Sequence, residues 1–441
     1  MRSFSRNLGK GRVGWVGRNL WAVLAARFAM SVARALLSVV TALYLAALGF
    51  SGLELGVLFV VVTFASAVMS SGIGFLSDRA GRKPFLVALP LVVAACASTY
   101  AISRSVVVLF VFAALGTFGR GAGAGGGNVG PYQPAESALV AESTPGGRRT
   151  AAFGLVAFTS TLGGLAGGLL AELVHTEPGL HGAAATAAYR PAFIASAALA
   201  LVAGLVALVI VEPSRGRSGG GSSQSTPTFV FPRRSWPALW RLVVTNATNG
   251  MAIGLFAPFL SYWLFRRYGA GPGRIGLLFA VVNAASLLST LAAASIGRRF
   301  GTVRSIATVR AVSGVLLVPM VLAPSFWVAG GLLLVRMAAQ RVGLPLRQSF
   351  TQQLADPAER STVAALSTVP AQATMAGGQA LAGYLFDEVS LSLPFELAAV
   401  FQCVNAALYA ALFAWRPPPR RQPGETPPVR ILEGDTAAGG E

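Results

Sequence analysis

Residues Gly74–Leu86 read GFLSDRAGRKPFL, a charged turn between two long apolar runs. The runs cover roughly residues 52–76 and 85–102, and each is long enough to cross a bilayer as a helix. A turn this short leaves its charges at the membrane surface. Its excess of arginine and lysine predicts that this surface is the cytoplasmic one. The stretch therefore predicts a membrane protein that crosses the bilayer several times.

The composition supports the same class. Of the 441 residues, 54% are hydrophobic and 12% are charged, whereas soluble domains carry about 25% charged residues. The net charge of +19 does not indicate nucleic-acid binding, because the basic residues are dispersed between apolar runs and form no basic stripe. Cys96 and Cys403 lie inside apolar runs, and no cluster of His, Cys and carboxylates has ligand spacing. We expect no disulfide, no metal site, no cofactor and no nucleic-acid partner.

The apolar runs predict twelve membrane spans. They lie at about 20–48, 52–77, 84–103, 106–140, 150–173, 191–211, 239–265, 274–297, 305–323, 326–353, 362–386 and 395–415. The first run is too long for the core of a signal peptide, so we expect it to be a retained span. Segments predicted to lie inside carry 23 arginine and lysine residues and those outside carry five, which predicts that both termini are cytoplasmic.

This pattern divides the chain into five parts. A basic cytoplasmic N-terminus (1–19) precedes a first half of six helices (20–212). A second half of six helices (239–415) follows a linker (213–238) that is rich in Gly, Ser and Arg, which predicts a flexible cytoplasmic connection. The Pro-rich tail (416–441) is predicted to be disordered and cytoplasmic.

The two halves resemble each other in sequence. Five residues of the first half recur in order in the second at a single offset of 220 residues. The pairs are Gly49 and Gly269, Gly56 and Gly276, Phe59 and Phe279, Arg79 and Arg299, and Gly81 and Gly301. The repeat indicates two halves derived from one ancestral unit, with substrate bound between them near the middle of the membrane. Only the first half keeps the acid of the turn, because Arg298 replaces Asp78 in the second.

The pattern G-x-x-x-D-R-x-G-R-K at Gly74–Lys83, placed between the second and third spans, resembles the signature loop of the major facilitator superfamily of secondary transporters. The resemblance covers nearly the whole chain. It implies an all-α membrane protein of twelve transmembrane helices in two pseudo-symmetric six-helix halves, which transports by alternating access. We expect a monomer in the inner cell membrane with a small molecule as its substrate.

The resemblance also implies that this loop is a conformational gate. The gate residues are Gly74, Asp78, Arg79, Gly81 and Arg82. Asp78 is expected to face the start of the eleventh helix, near Ser361 and Thr362. Gly74 would let the two halves approach each other, and Arg82 would reach an acid such as Glu142.

An arginine inside a span requires an explanation, because its insertion at the middle of the membrane costs about 2.5–3.5 kcal/mol on insertion scales. Four lie deep, on helices one, four and ten, which line the central cavity in the superfamily: Arg34, Arg120, Arg336 and Arg341. Two interpretations stay open, a cationic site for an anionic substrate or coupling network, and capping of backbone carbonyls in kinked helices. Arg27 and Arg310 are nearer the cytoplasmic surface, and we expect their side chains to extend towards it.

The fourth span, Gly116–Glu136, contains eight glycines and two prolines and is predicted to be a kinked helix. Arg120 followed by Gly and Ala resembles the fourth-helix motif of drug/proton antiporters, although the expected Gln is absent. Glycines of the fifth span resemble the glycine motif of the same antiporters, with Gly168 where that motif has proline. Glu136 is the best candidate for a titrating coupling group, paired with a deep arginine. The alternative is that it pairs with the signature loop.

Polar residues on the cavity helices supply the remaining candidates. Asn246 and Asn249 are three apart on the seventh span and share a helix face. They would bond to substrate or, alternatively, to neighbouring helices. The complete set of predicted substrate-binding residues is Arg34, Arg120, Asn246, Asn249, Arg336 and Gln340.

The sequence contains no nucleophile–base pair, no phosphate-binding loop and no paired carboxylates, so we do not expect an enzyme. We predict a secondary active transporter, an antiporter for proton-coupled efflux of amphipathic compounds. The alternative is an organic-anion transporter that uses the deep arginines. A receptor on this fold is a third hypothesis, and it would be expected to carry a large folded domain outside the membrane.

The signature loop gives the first testable prediction. If Asp78 faces free backbone N–H groups at the start of the eleventh helix, its negative charge is stabilising there. Asp78→Asn should then abolish most transport while the protein still inserts and accumulates, as measured by an uptake or efflux assay beside an immunoblot of the membrane fraction. Near-normal transport by this variant would disprove the assigned role.

Overall fold

In the computed structural model, six segments of the chain are described, 17–118, 130–145, 148–174, 183–211, 235–354 and 360–413. They form fifteen α-helices and a 3-10 turn at Ala171–Leu173, and these segments contain no β-strand. The helices of the first half are α1 (Arg18–Ala47), α2 (Gly52–Ala80), α3 (Lys83–Ile102), α4 (Val106–Gly116), α5 (Tyr132–Ser143), α6 (Arg149–Leu170) and α7 (Ala183–Leu208). Those of the second half are α8 (Trp236–Phe256), α9 (Leu260–Tyr268), α10 (Pro272–Phe300), α11 (Thr302–Val315), α12 (Leu317–Val321), α13 (Phe326–Leu354), α14 (Arg360–Glu388) and α15 (Leu393–Phe413).

These helices account for the twelve predicted spans, because three spans each consist of two successive helices: α4 with α5, α8 with α9, and α11 with α12. Within the described segments, eight stretches are long and apolar enough to cross a membrane on their own. The more polar helices α10, α13 and α14 have 29 residues each, about 43 Å at 1.5 Å per residue. The division of the chain at 213–238 and 416–441 stays a prediction, since most of those residues lie outside the described segments.

The glycines of the sequence repeat have the same conformation in both halves. Gly49 and Gly269 have φ of 93° and 62°, and Gly81 and Gly301 have φ of 96° and 80°. Residues with a side chain rarely adopt these values. Gly49 ends the turn after the first span and Gly269 the turn after the seventh, so each pair closes equivalent turns. The repeat is therefore retained because the backbone at these turns requires glycine.

The packing of the helices repeats in the same way. In the first half the first span packs against the fifth and sixth, the third against the sixth, and the fourth against the second and third. In the second half the seventh packs against the eleventh and twelfth, the ninth against the twelfth, and the tenth against the eighth and ninth. Adding six to the span numbers of a packed pair in the first half gives a packed pair in the second half. This is the pseudo-symmetry that the repeat predicts.

Two helix pairs hold the halves together, α2 against α14 and α6 against α10. Both are close contacts between glycines. A Cβ on Gly56 would lie 2.8 Å from the Gln379 carbonyl oxygen, and one on Gly276 would lie 2.3 Å from the Gly168 carbonyl oxygen. Gly56 and Gly276 are themselves one pair of the repeat, so the same position brings the halves together on both sides of the molecule.

These contacts lie at one end of the spans. We call the end with the α2–α3 turn the signature-loop side and the end with the α1–α2 turn the far side. Gly56 is in the second turn of α2 and Gly276 in the second turn of α10, and both helices begin on the far side. Near the signature-loop side, by contrast, a Cβ on Gly72 or Gly74 would meet no described atom within 4 Å. This conformation is closed on the far side. The close approach of the two halves that was predicted at Gly74 is not seen among the described residues.

An acid adds to the closure on the far side. The Asp387 carboxylate, at the end of α14, accepts hydrogen bonds from the backbone N–H of Gly52 (2.8 Å) and Leu53 (2.7 Å) at the start of α2. Ser51 and Glu54 cap the same helix end with reciprocal bonds. Deeper along the interface, Thr63 donates to the Gln379 side chain at 3.0 Å. The carboxylate also complements the positive end of the helix dipole.

The glycine interface gives a prediction about the conformational equilibrium. Gly56→Leu should force the far side open, because overpacking costs about 1–3 kcal/mol and only the closed state is overpacked. In a background without Cys96 and Cys403, Thr63→Cys should then be labelled by a membrane-impermeant thiol reagent from the far side roughly ten-fold faster. Gly72→Leu is the matched control on the same helix. Equal labelling rates for the two leucine variants would contradict the prediction.

Candidate functional site

A buried ion pair joins the first and fourth spans. Arg27 of α1 donates to the Glu136 carboxylate of α5. The two residues are only 3% and 1% exposed. The prediction that Arg27 extends to the membrane surface is therefore wrong, because a carboxylate partner is available inside the protein. One turn before Glu136, the Tyr132 hydroxyl is buried and has no hydrogen-bond partner among the described residues.

The signature loop forms an ion pair of its own. Arg82 pairs with Glu142, near the end of α5, as the resemblance implied. Glu136 does not take part in it, so the alternative partner suggested for that acid is excluded by the geometry. The Arg79 guanidinium lies 4.2 Å from the ring centre of Phe75. The side chain of Asp78 lies outside what the structure describes, and its role stays a prediction.

Arg34 lies at the break in the fourth span. Its Nη2 donates to the Thr117 carbonyl oxygen at 2.9 Å and to the Thr117 hydroxyl at 2.7 Å, and its Nη1 to the Gly116 carbonyl oxygen at 3.4 Å. Thr117 ends α4 in the left-handed conformation with φ of 53°. A Cβ on Gly130 would lie 3.1 Å from Arg34 Nη2, so the guanidinium also touches the residues before α5. These contacts match the carbonyl-capping interpretation. Arg120 lies outside the described residues.

The tenth span contributes a buried arginine to the second half. Arg336 of α13 is 2% exposed. Its Nε donates to the Ser313 carbonyl oxygen at 3.1 Å, and its guanidinium lies 4.0 Å from the ring centre of Phe256. Its Nη1 has no hydrogen-bond partner among the described residues. Gln340 follows one turn later on the same face and is partly exposed.

The two asparagines of the seventh span have different partners. Asn246 donates to the Ser367 carbonyl oxygen of α14 at 3.1 Å, which is the interhelical bond that the sequence left open. Asn249 is buried and accepts a hydrogen bond from Arg310 of α11. The prediction that Arg310 extends to the surface is also wrong, because Asn249 binds it inside the protein. The sequence analysis did not include Arg310 among its candidate site residues, although its position eight residues into α11 was an available signal.

With the fold and the site described, the chain can be compared with known proteins. The family model of the Major Facilitator Superfamily matches residues 23–247 and 242–432. The chain belongs to this superfamily. The predicted fold, an all-α membrane protein with two six-helix halves, is confirmed by this match and by the similarity to solved transporters of the same fold. The protein is accordingly a multi-pass membrane transporter with a small-molecule substrate.

Individual relatives agree with the family. The Multidrug resistance protein MdtG of Dickeya zeae is 26% identical over 346 residues, 76% of this chain and 79% of the relative. The protein of the same name from Serratia proteamaculans is 27% identical over 354 residues, 76% and 78% of the two chains. A bacterial homolog of the human lysosomal transporter Spinster, solved in an inward-facing and occupied conformation, superposes with a TM-score of 0.69 at 16% identity and covers 89% of this chain and 96% of its own.

The ion pair between α1 and α5 gives a prediction about stability. Arg27→Gln or Glu136→Gln alone leaves one buried charge without its partner, which costs about 3–5 kcal/mol. The double variant removes both charges and should lose less free energy of unfolding than the sum of the single variants. Unfolding of the purified protein by SDS titration from bicelles measures the three differences. Additive losses would show that the two charges do not depend on each other.

Proposed function

We propose that the protein is an antiporter that couples efflux of amphipathic small molecules to proton entry. The observation that carries the proposal is the buried pair of Arg27 and Glu136, the acid that lies within the fourth span. The names of the relatives support efflux of drug-like compounds. A coupling site needs an acid that is shielded from solvent and whose ionisation affects a contact between helices; Glu136 is 1% exposed and is paired with Arg27 of another span.

The pair can link protonation to movement of the helices. When Glu136 is ionised, its attraction to Arg27 holds α1 against α5. When it is protonated, the carboxyl group is neutral and Arg27 loses its counter-charge in a buried place, which favours a rearrangement that exposes or re-pairs the arginine. Because both helices belong to spans that line the central cavity in this superfamily, the rearrangement would act on the substrate site directly.

We also propose that the signature-loop side is cytoplasmic and that both termini lie there, on the basis of the arginine and lysine distribution. The conformation closed on the far side is then the inward-facing one, ready to take substrate from the cytoplasm. The gate residues Gly74, Asp78, Arg79, Gly81 and Arg82 would come together with the second half when the protein turns outward. Loading from the cytoplasm fits export.

Transport of organic anions is the second candidate function, and one observation favours it. Besides the exposed Arg304 near the start of α11, helices α11 and α13 hold four further arginines: Arg310, Arg336, Arg341 and Arg347. The acids among its described residues, Asp387, Glu388 and Glu396, are all exposed and lie towards the far side. The interior of that half is therefore positively charged, whereas in the first half Glu136 offsets Arg27.

Replacement of the coupling acid tests the proposal. Purified Glu136→Gln in proteoliposomes should lose transport driven by a pH gradient, because the amide cannot release a proton. It should keep exchange of labelled for unlabelled substrate, which needs no net proton movement. A panel of amphipathic fluorescent compounds of both charges serves as substrate.

Glu396→Gln, the same chemical change at an exposed position on α15, is the control and should transport normally. Gradient-driven transport by Glu136→Gln at the wild-type rate would rule out this acid as the coupling group. Loss of exchange together with gradient-driven transport would assign it a structural role instead.

A further inference from the structure

A polar cluster lies inside the second half, away from the pair of Arg27 and Glu136. It consists of Arg310 of α11, Asn249 of α8, and Gln402 and Tyr409 of α15, and we call it the Arg310 cluster. Asn249, Gln402 and Tyr409 are 6%, 1% and 0% exposed. Arg310 is partly exposed, and its guanidinium carries the only charge among the four residues.

The contacts of Arg310 are all with neutral groups. Its Nη1 donates to the Asn249 side-chain oxygen and, at 3.4 Å, to the Gln402 side-chain oxygen. The guanidinium carbon lies 5.9 Å from the ring centre of Tyr409. Both hydrogen bonds leave from Nη1, so the edge formed by Nε and Nη2 makes no hydrogen bond within the described residues. That edge is one with which arginine binds a carboxylate in bidentate fashion.

The rest of the cluster has donors without acceptors. The Gln402 Nε2 and the Tyr409 hydroxyl are buried and have no hydrogen-bond partner among the described residues. Leaving a buried donor unsatisfied is unfavourable, and in native proteins most such groups have a partner. A cluster of hydrogen-bond donors around a guanidinium favours a ligand that only accepts hydrogen bonds. Organic anions with a carboxylate or sulfonate group have this property.

The charge around the cluster has the same sign. Arg347 of α13 is close enough to Arg310 for their two positive charges to repel each other. Among the described residues of the second half, 235–354 and 360–413, the acids all lie towards the far side, so none of these neutralises the two arginines. Two partly buried positive charges near each other are unfavourable without a counter-charge, and a bound anion would offset them.

The depth of the cluster suits a substrate taken up from the signature-loop side. α11 begins on that side at Thr302, and Arg310 lies eight residues further on, about 12 Å at 1.5 Å per residue. Arg347 lies seven residues before the end of α13 on the same side. Because the halves meet on the far side, a ligand of the cluster would enter from the signature-loop side.

We propose that the Arg310 cluster binds the carboxylate or sulfonate group of an amphipathic organic anion that enters from the signature-loop side. The proposal deepens the proposed export function by naming the substrate class, and it adds Arg310 and Gln402 to the binding site. Arg310 supplies the charge and the free guanidinium edge, and Gln402 supplies a neutral donor beside it.

A matched pair of compounds tests the charge requirement. Naphthalene-1-sulfonate and naphthalene-1-sulfonamide share the same ring and differ in charge at neutral pH. In equilibrium dialysis against purified protein in detergent, corrected for empty micelles, the sulfonate should bind roughly ten-fold or more tightly than the sulfonamide, as expected for charged hydrogen bonds. Equal affinities would overturn the proposal.

Two variants localise the site. Arg310→Gln should weaken sulfonate binding roughly ten-fold or more and leave sulfonamide binding unchanged. Arg304→Gln, the same charge change at an exposed position on the same helix, is the control and should have no such effect. Equal effects of the two variants would show that only the overall charge matters, and this would overturn the proposal.

A third variant guards against loss of folding. Gln402→Glu places an acid beside Arg310, which should raise the melting temperature while it abolishes sulfonate binding, because the protein then supplies its own anion. Retained sulfonate binding by this folded variant would overturn the proposal. So would displacement of the sulfonate by chloride but not by gluconate at equal ionic strength, since the cluster would then hold a small inorganic anion.

These assays measure binding without a proton gradient. Failure of the Glu136→Gln transport experiment therefore leaves the anion site standing. Loss of the sulfonate preference likewise leaves proton-coupled export of other compounds intact.

Discussion

A polar group inside the hydrocarbon must find its partner within the protein, and this constraint explains each buried polar contact described above. Arg27 is stabilised by the Glu136 carboxylate. Arg34 is held by the carbonyl groups that become free where α4 ends in the left-handed residue Thr117. Arg310 has neither an acid nor a broken helix beside it among the described residues. The side-chain oxygens of neutral amides accept its hydrogen bonds instead, and they do not balance its charge. The hydrogen-bond partners of these arginines differ because the groups that surround each guanidinium differ.

The division into two halves follows from a second constraint, close backbone approach. Two halves can approach each other closely where small residues stand in place of bulky side chains at the contact. Glycines at equivalent positions of α2 and α10 provide such a contact, and the turns that precede these helices also need glycine. The sequence repeat is thus visible because glycines at equivalent positions form the turns and the interface in both halves.

Much of the fold could be predicted from the sequence. Apolar runs locate the spans, and the single offset of the repeat predicts the packing of both halves, because these properties depend on local composition. Apart from the pair of Arg82 and Glu142, which the family resemblance implied, side-chain partners could not be predicted in the same way. Arg27 and Glu136 are 109 residues apart, and which arginine meets the acid depends on how α1 crosses α5. Arg310 was missed for the same reason, since its burial is created by Asn249 and Gln402 on two other helices.

The donors that Asp387 engages on the far side are main-chain groups of Gly52 and Leu53. A substitution at Leu53 other than proline leaves its main-chain donor in place, whereas any side chain at Gly52 would put a Cβ 2.8 Å from the Asp387 carboxylate oxygen. Sensitivity to mutation is concentrated instead in one exposed carboxylate and in the glycines that bring it within reach. The closure of the far side therefore depends on the Asp387 carboxylate and on these glycines, and little on the other side chains at the start of α2.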